Sequence, residues 1–332
     1  MSRLRVALVG LGSIGRRHLR LLQERPDVSV EAVETSKEAL AAAQRDFGVL
    51  PAHISFAAML ETRPDVVWLA TPTPLHAEQT MKALAAGAHV FCEKPMSDGV
   101  AGALRMKQAA DRFRTVLNIG FYLHFWEGMR RLKQLVDSGR FGRVLHAHAR
   151  VGSYTTLVNS ASRYQASQPG SLFFDYSHQP DLFYWLLGRV PASVWAAGFQ
   201  GGKLELCSAP NVTDTICQYD GDLITSVHLN YVQLPERHEY EVVGDLGWAQ
   251  VDFFGGWIRF GDRTEGTVCT ETFDQPRDDI FRAEHAAFFE AVAGSRAPET
   301  SAADGMVSTA ICAAAVESWR TGQAVAIDLQ NV

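Results

Sequence analysis

The chain of 332 residues is longer than one ordinary domain, and its length predicts two or three domains. Hydrophobic residues make up 47% and charged residues 20%, proportions that are typical of a folded globular protein and exclude a disordered or fibrous chain. A formal net charge of −6 gives no general attraction for nucleic acid or for an anionic membrane surface. No apolar run approaches the roughly 18 residues that a membrane-spanning helix needs. We therefore expect neither nucleic acid nor a membrane as a partner.

Cysteine usage and the first residues favour a reducing cytoplasm. The five cysteines are odd in number and no two form a Cys-x-x-Cys pair, so neither a disulfide framework nor a structural zinc site is indicated. Residues 3–15 are similar to a short signal peptide, but they run into Arg16-Arg17-His18 rather than a small-residue cleavage site. His146 and His148 share one face of a predicted strand, yet no nearby cysteine or carboxylate completes a ligand set, so we expect no metal site.

The first 120 residues alternate between short apolar runs and segments of helical spacing. Strands alternating with helices of this length predict a doubly wound α/β domain, in which a parallel sheet carries helices on both faces. We expect Gly87 to end one helix in a left-handed conformation and Ser97 to cap the next one. The predicted strands are 5–9, 28–33, 66–70, 89–92 and 116–120, and the predicted helices are about 14–25, 37–47, 75–86 and 97–113.

After about residue 121 the pattern changes to short strands separated by turns rich in glycine and aspartate. This pattern predicts an α+β domain with a large, mainly antiparallel sheet that is open on one face. One aromatic helix at about 172–187 interrupts the strands, and helices follow from residue 279. The predicted domains are therefore 1–121 and 122–332. The predicted strands of the second domain are 144–151, 193–199, 212–219, 223–232, 240–243, 249–253, 257–260 and 269–273.

A glycine-rich loop follows the first strand and opens the first helix. Its sequence, Gly10-Leu11-Gly12-Ser13-Ile14-Gly15, permits a tight turn and brings backbone N–H groups and a helix N-terminus to a pyrophosphate. Glu34 follows 19 residues after Gly15, at the end of the second strand, where its carboxylate can accept hydrogen bonds from the adenosine ribose. Gly10, Gly12, Ser13, Ile14 and Glu34 are therefore candidate cofactor contacts. The carboxylate favours NAD over NADP, although Ser36 and Lys37 stand close enough to keep NADP possible, and glycines that merely make a turn are the alternative.

A second motif, Glu93-Lys94-Pro95, lies just beyond a predicted strand, where open parallel sheets bind their ligands. A lysine there can hold or protonate a substrate oxygen beside the nicotinamide, although Lys94 alone would also fit a solvated surface lysine. Two further segments accompany it, Thr71-Pro72-Thr73-Pro74-Leu75-His76 and the lead from Ala86-Gly87-Ala88-His89-Val90 into Glu93.

With the glycine loop, these segments resemble the glucose–fructose oxidoreductase, inositol dehydrogenase and MocA (Gfo/Idh/MocA) family over nearly the whole chain. The resemblance implies an N-terminal Rossmann domain, a nicotinamide cofactor and cofactor contacts from Thr71, Pro72, His76, Glu93 and Lys94. It also implies a homodimer or homotetramer formed through the open face of the C-terminal sheet.

The other hallmark of the family is a helix in the C-terminal domain that carries an aspartate, a histidine and a further aspartate. Asp175, His178 and Asp181 are spaced at i, i+3 and i+6, so one continuous helix would place them along one face. A histidine near neutral pKa can take a hydroxyl proton while a carboxylate orients it, and the alternative is a histidine satisfied between two surface carboxylates. Asp175 lies three residues before His178, whereas in many relatives the aspartate lies four residues before the histidine. The shorter spacing resembles that of a subset of the family associated with surface-sugar pathways. Pro180 lacks an N–H, so the helix should start late or bend there.

The resemblance also indicates where the substrate binds. His124 stands where many relatives carry an arginine, which indicates a different substrate anchor. Tyr154 and Arg163 lie in or beside a long polar loop that lines the substrate pocket in relatives, with a mobile surface loop as the alternative. The predicted substrate contacts are thus Lys94, His124, Tyr154, Arg163 and His178.

Together these residues predict an NAD-linked oxidoreductase that acts on a secondary alcohol of a sugar, cyclitol or sugar derivative. His178 would remove the hydroxyl proton, Lys94 would stabilise the alkoxide, and Asp175, in preference to Asp181, would orient the histidine. Three alternatives stay open: hydrolysis of glycosides by transient oxidation with bound NAD, reduction of a non-sugar substrate, and a non-catalytic dinucleotide sensor.

Overall fold

The computed structural model of the protein describes residues 3–48, 50–159, 168–204 and 208–329. Packing divides the chain into a first unit, Met1–Phe121 with Phe281–Met306, and a second unit, Tyr122–Ile280 with Val307–Val332. The division into contiguous domains 1–121 and 122–332 stays a prediction about which segments fold independently, since the packing units are not contiguous in sequence.

The first unit contains a six-stranded parallel sheet with the order β3-β2-β1-β4-β5-β6, which confirms the predicted doubly wound class. Its central strand β4 is buried at all four positions, as expected for a strand covered on both faces. The strands are β1 (Leu4–Val9), β2 (Val28–Val33), β3 (Ala52–His53), β4 (Val66–Leu69), β5 (His89–Glu93) and β6 (Leu117–Gly120). The helices are α1 (Ser13–Gln23), α2 (Lys37–Phe47), α3 (Phe56–Glu61), α4 (His76–Ala85) and α5 (Val100–Phe113).

Sequence patterns located most of these elements and missed two, β3 and α3. Both are too short, at two and six residues, to show a hydrophobic period. Gly87 has a φ of +86° and directly follows Ala86, the C-cap of α4, which confirms the predicted left-handed residue at this helix end.

The cap predicted at Ser97 is wrong. Gly99 occupies the N-cap of α5, and Ser97 is fully buried. A Cβ on Gly102 would lie 2.1 Å from Ser97 Oγ, so this hydroxyl packs against the first turn of the helix instead of capping it.

The second unit contains a nine-stranded sheet with the order β14-β13-β12-β11-β7-β10-β9-β8-β15. Among the described strand pairs of this nine-stranded sheet, only β7–β10 is parallel, so the predicted mainly antiparallel sheet is confirmed. Along β9 buried and exposed residues alternate, as in a strand with one solvated face. The strands are β7 (Val144–Gly152), β8 (Ser193–Phe199), β9 (Val212–Gln218), β10 (Ile224–Asn230), β11 (Arg237–Gly244), β12 (Gly247–Asp252), β13 (Trp257–Asp262), β14 (Val268–Thr272) and β15 (Val325–Ala326).

The predicted aromatic helix at 172–187 is two helices, α8 (Ser171–Asp175) and α9 (His178–Leu187). Pro180 is the third residue of α9, inside the first turn where no intrahelical acceptor exists for its position, so the predicted late start is confirmed. The prediction that Asp175, His178 and Asp181 share one helix face is wrong. The helix breaks after Asp175, so this residue lies on a different helix. The unit also contains α6 (Glu127–Asp137) and α7 (Thr155–Asn159).

The helices after residue 276 are α10 (Arg277–Val292) and α11 (Ala302–Thr321), and the first unit contains most of α10 but only the start of α11. Phe288 packs edge-on against Trp68 and Phe91 at 5.4 and 5.5 Å between ring centroids. Thr300 Oγ1 donates a hydrogen bond to the Ile119 carbonyl at 2.6 Å. The core of the first unit is therefore completed by a segment about 160 residues beyond β6 in sequence, which hydrophobic pattern alone did not indicate. No helix in the described ranges is both long and apolar enough to cross a membrane.

Candidate active site

The glycine loop joins β1 to α1, and its three glycines have different reasons to be glycine. Gly10 has a φ of +92°, and a Cβ there would lie 2.6 Å from the Ala70 carbonyl oxygen. A Cβ on Gly15 would lie 2.0 Å from the Gly10 carbonyl oxygen, which no side chain tolerates. Gly12 has open space around its Cβ position and is exposed at the N-cap of α1. Packing of the chain thus requires Gly10 and Gly15, while Gly12 leaves the helix N-terminus open to an anionic ligand.

Glu34 follows β2 and connects that strand to the glycine loop. Its Oε2 accepts a hydrogen bond from the Leu11 N–H and its Oε1 accepts one from the Ser36 N–H, both at 2.9 Å. The Thr35 hydroxyl also donates to Oε1, at 3.5 Å. A carboxylate has about four lone-pair positions, so acceptor capacity remains for a ribose hydroxyl. Ser36 caps α2 by accepting from the Ala39 N–H. The carboxylate is therefore held in place by backbone donors before any ligand arrives.

His76 connects the segment after β4 to the one after β5. Its Nδ1 lies 2.9 Å from the Pro95 carbonyl oxygen and its Nε2 lies 2.8 Å from the Thr71 carbonyl oxygen. Burial lowers the pKa of His76, although both carbonyl contacts oppose the shift, so the neutral ring donates to one of the two oxygens at a time. Thr71 itself donates from Oγ1 to Gln79 Oε1 at 2.7 Å. The His76 ring thus links two segments that the sequence predicts to lie near the cofactor. Pro72, in the first of these segments, is exposed.

Glu93 ends β5 and holds the backbone of the next residue, because its Oε2 accepts a hydrogen bond from the Lys94 N–H at 3.1 Å. A Cβ on Gly120 would lie 3.0 Å from the carboxylate, so glycine at the end of β6 makes room for it. The other oxygen, Oε1, lies 2.7 Å from Nε2 of His18 on α1. The sequence analysis did not identify His18 as a site residue. The one sign of it in the sequence is that a histidine stands on the apolar face of α1.

All these groups follow the carboxyl ends of four neighbouring strands, β2, β1, β4 and β5. Parallel sheets bind ligands at this edge, where loops and helix N-termini meet. The first unit therefore has the architecture of a dinucleotide-binding domain with a lysine at its ligand-binding edge.

In the second unit, His178 is the first residue of α9 and only 5% exposed. Its ring meets the ring of Tyr122 edge to face, at 4.9 Å between centroids, and the Arg277 guanidinium lies over the Tyr122 ring, 5.4 Å from its centroid. The predicted base is thus buried at the start of a helix and contacts an aromatic ring.

The two aspartates near His178 have different partners. His124 Nε2 lies 2.7 Å from Asp181 Oδ2, with both side chains completely buried, and Trp185 packs on the His124 ring at 4.4 Å. Asp175 accepts a hydrogen bond from the Tyr231 hydroxyl. The predicted substrate anchor His124 is thus paired with an aspartate.

Two residues that the sequence did not single out, His238 and Tyr240, fix Gln179, the residue after His178. Gln179 Nε2 lies 3.2 Å from His238 Nε2 and donates to the Tyr240 hydroxyl at 3.1 Å. Burial, with a smaller contribution from the positive charge of Arg277, lowers the pKa of His238 to about 3. His238 and Tyr240 alternate on β11 like ordinary core residues, which is why their pattern gave no functional signal.

The remaining predicted residues lie elsewhere. Tyr154 is half-buried, and its N–H donates to the Gln233 carbonyl at 3.0 Å. Arg163 lies outside the described residues. His146 and His148 stack at 6.3 Å and both approach Ser226 Oγ, at 3.4 and 2.9 Å, as expected for two hydrogen-bonded strand histidines.

The fold and the glycine loop with its acidic partner define the class of NAD-binding oxidoreductases. Residues 4–121 match the GFO/IDH/MocA oxidoreductase family with an NAD-binding Rossmann fold, and residues 129–250 match the C-terminal domain of the same family. The chain belongs to this family and is an NAD-dependent oxidoreductase.

Similar proteins span nearly the whole chain. An inositol 2-dehydrogenase 3 from Saccharopolyspora erythraea is 28% identical over 341 residues, which cover 98% of this chain and 96% of that protein. A scyllo-inositol dehydrogenase from Lactobacillus casei, solved with NAD(H) and scyllo-inositol, has a TM-score of 0.83 at 22% identity and covers 98% of this chain and 99% of that one. The WlbA dehydrogenase from Bordetella pertussis, solved with NADH and UDP-GlcNAcA, has a TM-score of 0.82 at 24% identity, with coverage of 98% and 99%. At these identities the two structures establish the fold.

Proposed function

We propose that the protein transfers a hydride between NAD and a secondary alcohol or ketone of a sugar, cyclitol or sugar derivative. The observation that carries the proposal is the placement of Lys94 at the same sheet edge as the glycine loop and Glu34. The inositol dehydrogenase among the relatives supports the substrate class.

The residues have separate roles in this proposal. When bound, the nicotinamide supplies the hydride acceptor. His178 removes the hydroxyl proton, and Lys94 stabilises the negative charge that develops on the oxygen. Asp175 orients His178, while Asp181, completely buried with His124, positions α9. Tyr154 and Arg163 contribute to substrate binding.

The geometry of the first unit supports the proposed cofactor contacts. The backbone at Gly10, Gly12, Ser13 and Ile14 receives the pyrophosphate, and Glu34 receives the adenosine ribose. The carboxylate of Glu34 repels a 2′-phosphate, so NAD is bound more tightly than NADP. Thr71, Pro72, His76 and Glu93 shape the nicotinamide side of the site.

The proposed reaction is tested by incubating the protein with NAD and a panel of sugars, cyclitols and nucleotide sugars while NADH absorbance is followed. We expect one structural class of polyol to reduce NAD. Failure of every sugar and cyclitol, together with turnover of a non-sugar alcohol, would contradict the proposed substrate class.

The base is tested by pH dependence on the substrate so found. Oxidation requires neutral His178, so the rate should fall as the solution is acidified through the pKa of His178 in the bound complex. His178→Asn keeps a similar shape but cannot take the proton, so it should lose both this acid limb and most turnover. A native-like acid limb in the variant would assign the base to another group.

We further propose that the protein is a cytoplasmic homo-oligomer, a dimer or tetramer, formed through the open face of the second-unit sheet. Trp195, Ile216 and Ile224 lie on this face with 40 to 47% of their surface exposed, an uncommon position for large apolar side chains. None of the four described cysteines forms a disulfide, which fits a reducing compartment. Sedimentation of the native protein and of Ile216→Lys tests the interface, and a native monomer would exclude it.

A further inference from the structure

Two buried histidines of the first unit lie behind the Glu93-Lys94 segment and have no role in the chemistry proposed above. His18 lies on α1 and His285 on α10, and they are 0% and 1% exposed. His18 Nδ1 lies 2.9 Å from His285 Nε2, and His18 Nε2 lies 2.7 Å from Glu93 Oε1. The three side chains therefore form a continuous hydrogen-bonded chain that ends at the carboxyl group preceding Lys94.

The surroundings of this chain are aromatic. The ring centroids of Trp68, Phe91 and Phe281 lie 5.1 to 5.6 Å from that of His18. In such an environment a hydrogen bond is strengthened and a polar atom without a partner is costly, because water cannot replace the missing contact. Each buried ring nitrogen is therefore stable only when its protonation state matches its partner, as a donor to an acceptor or the reverse.

The chain can run in two directions. In one, His285 Nε2–H donates to His18 Nδ1, and His18 Nε2–H donates to the Glu93 carboxylate. In the other, a protonated Glu93 donates to His18 Nε2, and His18 Nδ1–H donates to His285 Nε2. The proton of a neutral His285 then lies on its Nδ1.

The surroundings of His285, at the far end of the hydrogen-bonded chain, decide between the two directions. Among the residues that the structure describes, none forms a hydrogen bond with His285 Nδ1. A buried lone pair without a donor is tolerated better than a buried N–H without an acceptor, so this nitrogen carries no proton. Burial and the neighbouring His18 lower the pKa of His285 well below its usual range, so the ring is neutral and its single proton lies on Nε2.

We propose that His285 and His18 form a one-way hydrogen-bond chain to Glu93, and that His18 is a positioning residue for Lys94. The carboxylate is fixed at Oε1 by His18 and holds the Lys94 N–H at Oε2. The backbone that carries the proposed charge-stabilising lysine is thus set by a ring on α1. The catalytic consequence of this inference rests on the proposed function; the direction of the chain does not.

The protonation states can be read in the native protein without any substrate. Labelling histidine with ¹⁵N and recording long-range ¹⁵N–¹H correlations distinguishes a protonated from a bare ring nitrogen. We expect His18 and His285 both to be neutral and protonated on Nε2. A proton on Nδ1 of His18 would overturn the direction of the chain.

The positioning role is tested with two substitutions of His18. Glutamine presents an amide N–H near the place of Nε2, so His18→Gln keeps the donor to Glu93, whereas His18→Leu removes it. We expect His18→Leu to speed hydrogen exchange of the Lys94 amide about tenfold, the equivalent of one hydrogen bond, and His18→Gln to leave it within a few-fold of native. Equal acceleration in both variants would mean that the cavity, and not the donor, matters, and would overturn the proposal.

The kinetics of His18→Leu and His18→Gln separate a positioning role from a purely structural one. Displacement of Lys94 should lower kcat roughly 10²-fold in His18→Leu while KM for NAD changes far less, and His18→Gln should recover most of the loss. If His18→Leu does not fold, His285→Leu and His285→Gln serve instead, since only the glutamine keeps a donor to His18 Nδ1. A native kcat in the variant without the donor would remove the positioning role.

Glu284 offers a matched control in the same core. It is fully buried, and burial, with the charge of Glu93 adding to the effect, raises its pKa well above the usual range. Glu284→Gln replaces the carboxyl by an amide of similar shape without touching the His18–Glu93 contact, and it should leave Lys94 amide exchange unchanged. Absence of turnover with every alcohol would count against the proposed function alone, because the tautomer and exchange measurements require no substrate.

Discussion

The two units fix their candidate functional groups in different ways. In the first unit, the carboxylates and the histidine around the loops bond to backbone groups: Glu34 to the Leu11 N–H, Glu93 to the Lys94 N–H, and His76 to a carbonyl. In the second unit, side chain bonds to side chain across long stretches of sequence. Asp181 meets His124 57 residues away, and Asp175 meets Tyr231 56 residues away.

This difference predicts different consequences of mutation. Backbone donors stay in place when a side chain is removed, so a change in the first-unit site should alter binding or rate more than folding. A buried side-chain pair loses its partner when one member is removed, and the remaining polar atom stays buried without water. Changes in the second-unit pairs should therefore cost stability first.

The largest stability effect is expected at the completely buried pair of Asp181 and His124. Asp181→Leu should lower the free energy of unfolding by about 3 kcal/mol or more, because a ring nitrogen of His124 is left buried without its acceptor. Asp181→Asn keeps an acceptor oxygen and should lose clearly less. Urea unfolding of both variants measures the difference, and equal stability of Asp181→Leu and native protein would contradict the comparison.

Lys94→Ala should affect rate instead of stability. Lys94 is proposed to act on charge that develops only in the transition state, so turnover should fall of order 10²-fold, while NAD affinity and the unfolding midpoint change little. Lys82→Ala is the matched control, since Lys82 is an exposed lysine of the same unit paired with Glu78. Steady-state kinetics and NAD titration of both variants decide the matter; unchanged turnover in Lys94→Ala would remove this residue from the mechanism.

An acid-sensitive contribution to stability is expected from His238 in the second unit. Its pKa is about 3 in the folded protein, below the ordinary 6.5, so the unfolded chain binds more protons between these values. The free energy of unfolding should therefore fall as the pH is lowered below 6.5, with a contribution from this residue approaching 1.4 kcal/mol per pH unit.

Replacing His238 isolates that contribution. His238→Gln should show a shallower loss of stability between pH 6.5 and 5 than the native protein. Tyr240→Phe, which removes the hydroxyl 2.7 Å from the same ring and keeps the histidine, should shift stability by a similar amount at each pH in that range. Parallel curves for native protein and His238→Gln would show that the ring titrates normally in the fold.

The smallest of the four effects is expected at Glu34. Glu34→Ala removes the ribose acceptor and its hydrogen bond from the glycine loop, so the Kd for NAD should rise about tenfold and the preference over NADP should narrow. Glu38→Ala is the control, because it removes a fully exposed negative charge from the first turn of the neighbouring helix. Dinucleotide titrations measure both variants, and tighter binding of NADP than NAD by the native protein would reverse the assignment.

Much of the first-unit site could be predicted because its residues act within short strand–turn–helix segments. The glycine loop, Glu34 and Glu93-Lys94 each lie where a predicted strand ends, and the rule that parallel strands present their carboxyl ends together brings them to one edge. The exception is His18, whose partners Glu93 and His285 lie 75 and 267 residues away.

The second unit was predictable in most of its strands, whereas α6, α7, β15 and the side-chain contacts were missed. Alternation located the strands and Pro180 located the start of α9, but the break after Asp175 came from local backbone geometry that no periodicity reports. The partners His238 and Tyr240 alternate along β11 like core residues, and Tyr231 is buried directly after β10. Nothing in their own segments distinguishes an anchoring hydroxyl or ring from one that only packs.

The sequence by itself determined the α/β and mainly antiparallel halves, the dinucleotide loop and the family, because periodicity, glycine conformation and short motifs are properties of neighbouring residues. Tertiary structure alone decided which histidine meets which carboxylate, and that Phe281–Met306 completes the core of the first unit. The physical reason is that a buried hydrogen bond depends on two groups arriving at one point from distant segments. Their positions follow from the packing of the whole unit, which no local pattern encodes.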